Sequence, residues 1–190
     1  EAGAYIYTSV TEKFKLLSPI IRGDIHSFTE DNKGNIWLTS SGDIFRYNPA
    51  TDQVVQIKGF SNAVSLCLGG DDNIWVISND GIIAVYNAAT QSFNQYSLFS
   101  HSKPTSAHWV QKIVPEGKDS LWICTPKQGI KLFNIRARKY QDYFPNDQDG
   151  NEIYARDILR KGDGEYWIAS ESGIYLLDIN NNTIINLKKK

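Results

Sequence analysis

Four tryptophans in this chain close the same short phrase: Gly34-Asn35-Ile36-Trp37, Asp72-Asn73-Ile74-Trp75, Asp119-Ser120-Leu121-Trp122 and Gly164-Glu165-Tyr166-Trp167. A polar turn follows each, and then an apolar run that ends in Tyr47-Asn48, Tyr86-Asn87, Phe133-Asn134 or Leu177-Asp178. Successive tryptophans are 38, 47 and 45 residues apart. Periods of about 40 to 50 residues mark a propeller or another array whose units bury their apolar faces only against their neighbours.

Each unit reads as four short strands. In the first complete unit they are Ile25 to Glu30, Asn35 to Ser40, Ile44 to Asn48 and Gln53 to Ile57, separated by turns rich in Gly, Asn, Asp and Pro. The second strand of every unit is apolar on both faces, as in Ile74-Trp75-Val76-Ile77 and Leu121-Trp122-Ile123-Cys124. A strand with one wet face would alternate, so these strands must be covered on both sides. The blade of a β-propeller meets that requirement, because its sheet packs face to face between two others. The recurrent tryptophan is accordingly a packing group. A buried indole removes roughly 150 to 250 Å² from water.

The N-terminus belongs to the same array, since Gly3-Ala4-Tyr5-Ile6-Tyr7 lines up with Gly173-Ile174-Tyr175-Leu176-Leu177. The expected fold is all-β: a propeller of four-stranded antiparallel blades, with a half blade at 1–18 and complete blades near 22–58, 62–97, 109–144 and 154–188. Four and a half blades leave the opening half without its two inner strands, so the chain reads as an incomplete arc of a larger ring of about seven blades. The open blade faces and edges call for the rest of the propeller, or a second copy, as a partner. A start in mid-pattern, with neither Met nor a signal peptide, reads as an excised piece of a longer protein. Lys188-Lys189-Lys190 reads as a solvated tail.

Bulk chemistry narrows the partners. A formal net charge of −1 without basic patches argues against nucleic acid. No apolar run approaches the roughly 18 residues that cross a bilayer, so direct membrane insertion of this segment is not expected. Cys67 and Cys124 lack a second Cys or His at ligand spacing. Both lie in apolar runs that suit buried thiols, and a disulfide between them stays open. The run Asp147-Gln148-Asp149-Gly150-Asn151-Glu152 has clustered carboxylates but not the alternating ligands and distant Glu of an EF-hand loop, so it reads as an acidic turn. No metal and no cofactor is expected.

Function should sit where the units differ in length, in the links from one blade's outer strand to the next blade's inner strand. The link is short at Lys58 to Asn62 and long at Ser97 to Trp109 and Phe144 to Tyr154. This face collects Phe60, His101, His108, Trp109 and Tyr154, and exposed aromatic rings suit a sugar or peptide. The inner strands add two aligned sets, His26, Val64, Gln111, Arg156 and Ser27, Ser65, Lys112, Asp157. They are too polar for a packed core, so part of them should face the central channel, with Lys112, Arg156 and Asp157 as polar contacts to a ligand. No phosphate loop, nucleophile elbow or triad stands out, and no catalytic residue is assigned.

The phrase Asp31-x-x-Gly34-Asn35-Ile36-Trp37, followed by Ser40-x-Gly42-x-Ile44 and Tyr47-Asn48-Pro49-x-Thr51, resembles the two-component regulator propeller repeat. The frame returns from Trp75 to Thr90, and from Trp122 to Asn134 and Trp167 to Asp178 without the Asn-Pro-x-Thr turn. The resemblance implies the periplasmic sensor region of a hybrid two-component system of Bacteroidetes-type bacteria, where propellers report on glycans to a cytoplasmic histidine kinase. An oligosaccharide or other small extracellular ligand is the implied partner, and the family has no catalytic residues to carry over. The same phrase is similar to the Asp-box of sialidases, but its Asp-to-Trp spacing is one residue longer, which argues against a glycosidase. Streptogramin lyase-like propellers share a similar Gly-x-Ile-Trp repeat and depend on channel histidines, acidic residues and a divalent metal. Here His26 is the only inner-strand histidine, which ranks that reading behind a sensor. A plain protein-interaction propeller is the third reading.

Overall fold

Each unit folds as the four-stranded antiparallel meander that its turns dictate. The computed structural model describes residues 3–99, 109–144 and 146–187. The opening half blade is a two-stranded sheet of β1 (Tyr5–Thr8) and β2 (Lys13–Leu16). Blade I holds β3 (Ile25–Glu30), β4 (Ile36–Ser40), β5 (Asp43–Asn48) and β6 (Gln53–Ile57), and blade II holds β7 (Ala63–Leu68), β8 (Ile74–Ser78), β9 (Ile82–Asn87) and β10 (Ser92–Ser97). Blade III comprises β11 (Lys112–Glu116), β12 (Ser120–Cys124), β13 (Ile130–Asn134) and β14 (Lys139–Tyr143), and blade IV β15 (Ala155–Gly162), β16 (Glu165–Ser170), β17 (Gly173–Asp178) and β18 (Thr183–Asn186). Among the described residues no helix is long and apolar enough to cross a membrane.

One backbone detail identifies the half blade as the same unit. The residue just before each fourth strand is left-handed: Glu12, Asp52, Gln91, Arg138 and Asn182 have φ between 52° and 55°. The recurrent Asn or Asp that ends the third strand builds this turn, because its side chain accepts amide hydrogens that the turn leaves without a ladder partner. Asn48 accepts from the Ala50 amide at 2.9 Å, Asn87 from Ala89 at 2.9 Å, Asn134 from Ala137 at 2.7 Å and Asp178 from Asn180 at 2.9 Å.

Packing runs blade to blade. The face of blade I that carries Trp37 meets Leu66, Ile74, Val76 and Tyr86 of blade II. Trp75 of blade II meets Ile113, Leu121, Ile123 and Phe133 of blade III, and Trp122 meets Ile158, Tyr166, Ile168 and Leu177 of blade IV. These three indoles are 2%, 0% and 1% exposed. Trp167 departs from the expectation: it is only half-buried, because its face of blade IV has no blade against it. At the other end Phe28 is 74% exposed, although Leu66, Ile113 and Ile158, its counterparts in blades II to IV, are at most 3% exposed. The half blade supplies third and fourth strands but no inner ones, so nothing covers Phe28.

Cys67 and Cys124 are buried free thiols, one at each of two blade interfaces. Burial pushes both up to about 12, which keeps them in the unreactive thiol form.

Candidate functional site

The four inner strands converge on a channel of about 730 Å³, lined by residues of β3, β7, β11 and β15. Each of β3, β7 and β15 carries a β-bulge at the same place, and the bulged residues are His26, Val64 and Arg156. A bulge re-aims one side chain out of the ladder. Three of the four residues in the first aligned set are therefore ones that the strand geometry turns away from the blade, and the fourth, Gln111, immediately precedes β11. At the mouth of the channel His26, Val64 and Gln111, from three successive blades, line a cavity of about 360 Å³ together with Asn79, Trp109 and Val110. Trp109 is 51% exposed, whereas Val110 beside it is 2% exposed and donates its amide to the Asn79 carbonyl at 3.0 Å. The residue that follows the indole is thus held against blade II.

The second aligned set does something else. The Ser27 hydroxyl accepts from the Leu66 amide and donates to the Leu66 carbonyl, both at 3.2 Å. Ser65 accepts from the Ile113 amide at 3.2 Å, and Lys112 pairs with Asp157. Each of these ties an inner strand to that of the next blade. Lys112 and Asp157 are therefore engaged with each other along the channel wall, and Asp157 also accepts the Ile158 amide at 2.8 Å. Their polarity is explained by stitching adjacent blades, a role that sequence position alone did not separate from ligand contact.

Blade IV carries a second cavity, of about 560 Å³, lined by Asp147, Glu152, Tyr154, Glu171, Tyr175 and Asn186 among others. The Tyr154 hydroxyl donates to Glu152 at 2.8 Å, which raises its pKa. Arg156 is paired with Glu171. The Asn186 amide is buried with no hydrogen-bond partner among the described residues. Asp147 sits in the same D-x-x-G-N turn as Asp31. In both turns the Asp carboxylate accepts the amide of the Asn four residues later at 2.9 Å, and the Gly amide donates to the Asp carbonyl, at 2.9 Å for Asp31 and 3.0 Å for Asp147. Burial opposes the charge of Asp147, yet the Asn151 and Asp149 amides, the Asn151 side chain and the Tyr175 hydroxyl hold its carboxyl below the usual range. The carboxylate is spent on turn donors, and among the described residues no group of three His, Cys, Asp or Glu could hold a metal ion.

The candidate residues thus fall into separate places: Trp109 at the channel mouth, Lys112 and Asp157 on the channel wall, Tyr154 and Arg156 over blade IV. Phe60 requires a correction. It is 9% exposed, packs its ring 5.4 Å from Phe93 inside the interface of blades I and II, and is among the residues lining a hollow of about 310 Å³. The short link places it over the blade, where apolar burial wins. His101 and His108 lie outside the described residues. Asn79, Asn186 and Tyr175 line these cavities without having been singled out, since each sits in a strand or turn that reads as scaffold.

No family model matches the chain, and no curated protein does. Solved structures do. The extracellular domain of the hybrid two-component system BT3049 of B. thetaiotaomicron superposes with a TM-score of 0.71 at 18% identity, over 86% of this chain and 24% of that one. The extracellular domain of BT4673 from the same organism, described in one structure as a one-component and in another as a hybrid two-component system, gives 0.70 at 17% identity, over 90% of this chain and 25% of its own. A structure of YCF48 bound to D1 peptide gives 0.67 at 13% identity, over 94% and 56%. The chain spans about a quarter of the length of the two bacterial domains. It is an arc of a β-propeller that shares its fold with these extracellular domains.

Proposed function

We propose that the chain is part of the periplasmic sensor propeller of a hybrid two-component signalling protein. It recognises an oligosaccharide or a partner at the channel-mouth face, leaves the signal to a histidine kinase, and catalyses nothing itself. The observation that carries this is the shared fold with the extracellular domains of BT3049 and BT4673, each described as belonging to a hybrid two-component system, BT4673 in one of its two structures only, over nine tenths of the chain in the case of BT4673. The site agrees with it in kind. A half-exposed indole beside a cavity with His26, Asn79 and Gln111 offers a flat apolar face ringed by hydrogen-bonding groups, the combination that sugar rings and short peptides use.

Titration calorimetry of the ectodomain against a panel of oligosaccharides tests the reading. Trp109→Ala is expected to weaken the bound glycan by about tenfold or more while leaving the melt unchanged. Tyr154→Ala separates the channel mouth from the cavity of blade IV, since only one of the two variants should lose binding if the ligand occupies a single cavity. Binding of no glycan, with turnover of a lactone or uronide instead, sinks the reading. A second reading, recognition of a peptide, is favoured by the likeness to YCF48, whose structure holds a peptide. Binding of a peptide panel in place of the glycans decides for it.

A further inference from the structure

Every complete blade carries a polar residue at one place on its fourth strand. These are Gln56, Gln95, Asp142 and Asn186, which stand opposite Phe45, Ala84, Lys131 and Tyr175 of the third strand. In three blades the polar group has a partner: Gln56 accepts from Lys58, Gln95 donates to the Gly59 carbonyl of the preceding link at 3.1 Å, and Asp142 pairs with Lys131. Asn186 has none among the described residues, although its Nδ2 and Oδ1 are both buried. Tyr175, its neighbour across the ladder, turns its hydroxyl elsewhere, 3.3 Å from Asp147 and 2.8 Å from Ser172. Buried polar groups in folded proteins are almost all hydrogen-bonded, and one left without partners weakens the fold that carries it.

Asn186 lines the cavity of about 560 Å³ over blade IV. Gln148 donates to the Ile184 carbonyl at 2.8 Å, which ties the link from blade III to β18 beside that cavity. Turning the amide toward the cavity breaks no hydrogen bond and follows χ2, a broad torsion. Tyr154 adds an aromatic side chain whose hydroxyl Glu152 already holds. Three carboxylates, Asp147, Glu152 and Glu171, stand on the lining. Among the described residues Arg156, on Glu171, is the only cation paired with any of them.

We infer that this cavity is a second recognition site, separate from the channel mouth, and that it takes a vicinal diol of an uncharged sugar through Asn186. A primary amide donates from its nitrogen and accepts at its oxygen side by side. Two adjacent hydroxyls of a sugar ring return that pair, one donating to Oδ1 while the other accepts from Nδ2. A trans peptide unit presents its N–H and C=O on opposite sides, so it satisfies only one of the two atoms. The Tyr154 ring offers the sugar an apolar face. The surplus of carboxylates repels uronates and sulfated sugars, so the site selects for neutral ones. The inference rests on the reading of this face as one that recognises sugars, and it adds the class of sugar and the residue that selects it.

Saturation-transfer NMR of the ectodomain tests this with methyl α-mannoside, methyl β-galactoside and methyl β-galacturonide, the last keeping the ring hydroxyls of the second and carrying a carboxylate at C6. At least one neutral glycoside is expected to bind, and the galacturonide about tenfold or more weakly. Asn186→Leu should lose the neutral glycoside by a similar factor yet melt no lower than the parent, since it exchanges an unpartnered amide for an apolar group of similar size. If Asn186→Leu does lower the melt, Asn186→Asp, close in shape but without the donor, must lose binding likewise. Trp109→Ala should leave this binding unchanged. Binding that survives the Asn186 variants, equal binding of the galacturonide, or silence from both neutral glycosides overturns the inference. Sugar binding that is lost in Trp109→Ala but kept in Asn186→Leu also overturns it, while the channel-mouth reading stands.

Discussion

An indole N–H inside a blade has no water to turn to. Trp37 donates to Asp31 at 2.8 Å, Trp75 to Asp71 at 3.0 Å and Trp122 to Glu116 at 3.2 Å. The acid stands six, four and six residues before its Trp, so the turns differ while the bond persists. Blade IV breaks the rule: Lys161 lies over the Trp167 ring instead, 5.3 Å from its centroid. Burial opposes the charge on Asp31, but the Trp37 indole, the Asn35 side chain and the Asn35 and Lys33 amides outweigh it and hold its carboxyl below the usual range. A carboxyl depressed on folding stabilises above its unfolded value, about 3.9, and loses that contribution as pH falls through the folded value. Asp31→Ala is expected to cost about 1 to 3 kcal/mol at neutral pH, since it leaves a buried donor unpartnered. With Asp31→Asn, the gap to wild type in guanidinium melts should narrow as pH is lowered from about 7 to about 3. A gap that stays constant would mean that the charge contributes nothing. This bond was hidden in the sequence in plain view: Asp31 belongs to the recurrent phrase, yet a turn residue and an indole acceptor look alike until the side chain's direction is known.

At the level of the strand and the turn the sequence was far more legible. The strands of blade I lie within a residue of where alternation and turn residues put them, because Gly, Asn and Asp at fixed places and a doubly apolar second strand leave few alternatives. What the pattern did not carry was which blade a side chain serves. Ser27, Ser65 and Lys112 stand on the inner strands as their polarity suggests, and each also reaches across to the next inner strand. Phe60 read as a loop aromatic, but it fills the interface. Both depend on distances between units, which no periodicity within a unit encodes. The β7–β8 turn shows how tight those distances are. A Cβ on Gly70 would stand 2.1 Å from the Gly117 carbonyl oxygen and 2.6 Å from the Lys118 Cα, both on the β11–β12 turn of the next blade. Gly70 needs no unusual φ, so its reason is room for the neighbour. Gly70→Ala is therefore expected to lower stability by about 1 to 3 kcal/mol by overpacking, seen as a fall in the urea midpoint. An unchanged midpoint would show that the two turns can part without loss.

A propeller arc is stabilised blade against blade, so its ends should open before its middle. The two thiols are placed to read this. Cys67 lies between blades II and III, and Cys124 between blades III and IV. Both are buried and pushed up to about 12, so neither reacts readily until its interface opens, and once open the two are chemically alike. Releasing Cys124 requires only the end blade to come away, and that blade has one face uncovered, with Ile174 and Leu159 in water. Releasing Cys67 requires two blades to be lost from one side, or blades I and II with the half blade from the other. In residues 1–190, Ellman's reagent should label Cys124 faster than Cys67 under native conditions, and the two rates should converge in denaturant as global unfolding takes over. Equal rates in water would mean that the arc opens only as one cooperative body. The same experiment distinguishes the segment from its parent propeller: where a following blade covers Trp167, the end effect moves away from blade IV and the labelling of Cys124 slows toward that of Cys67.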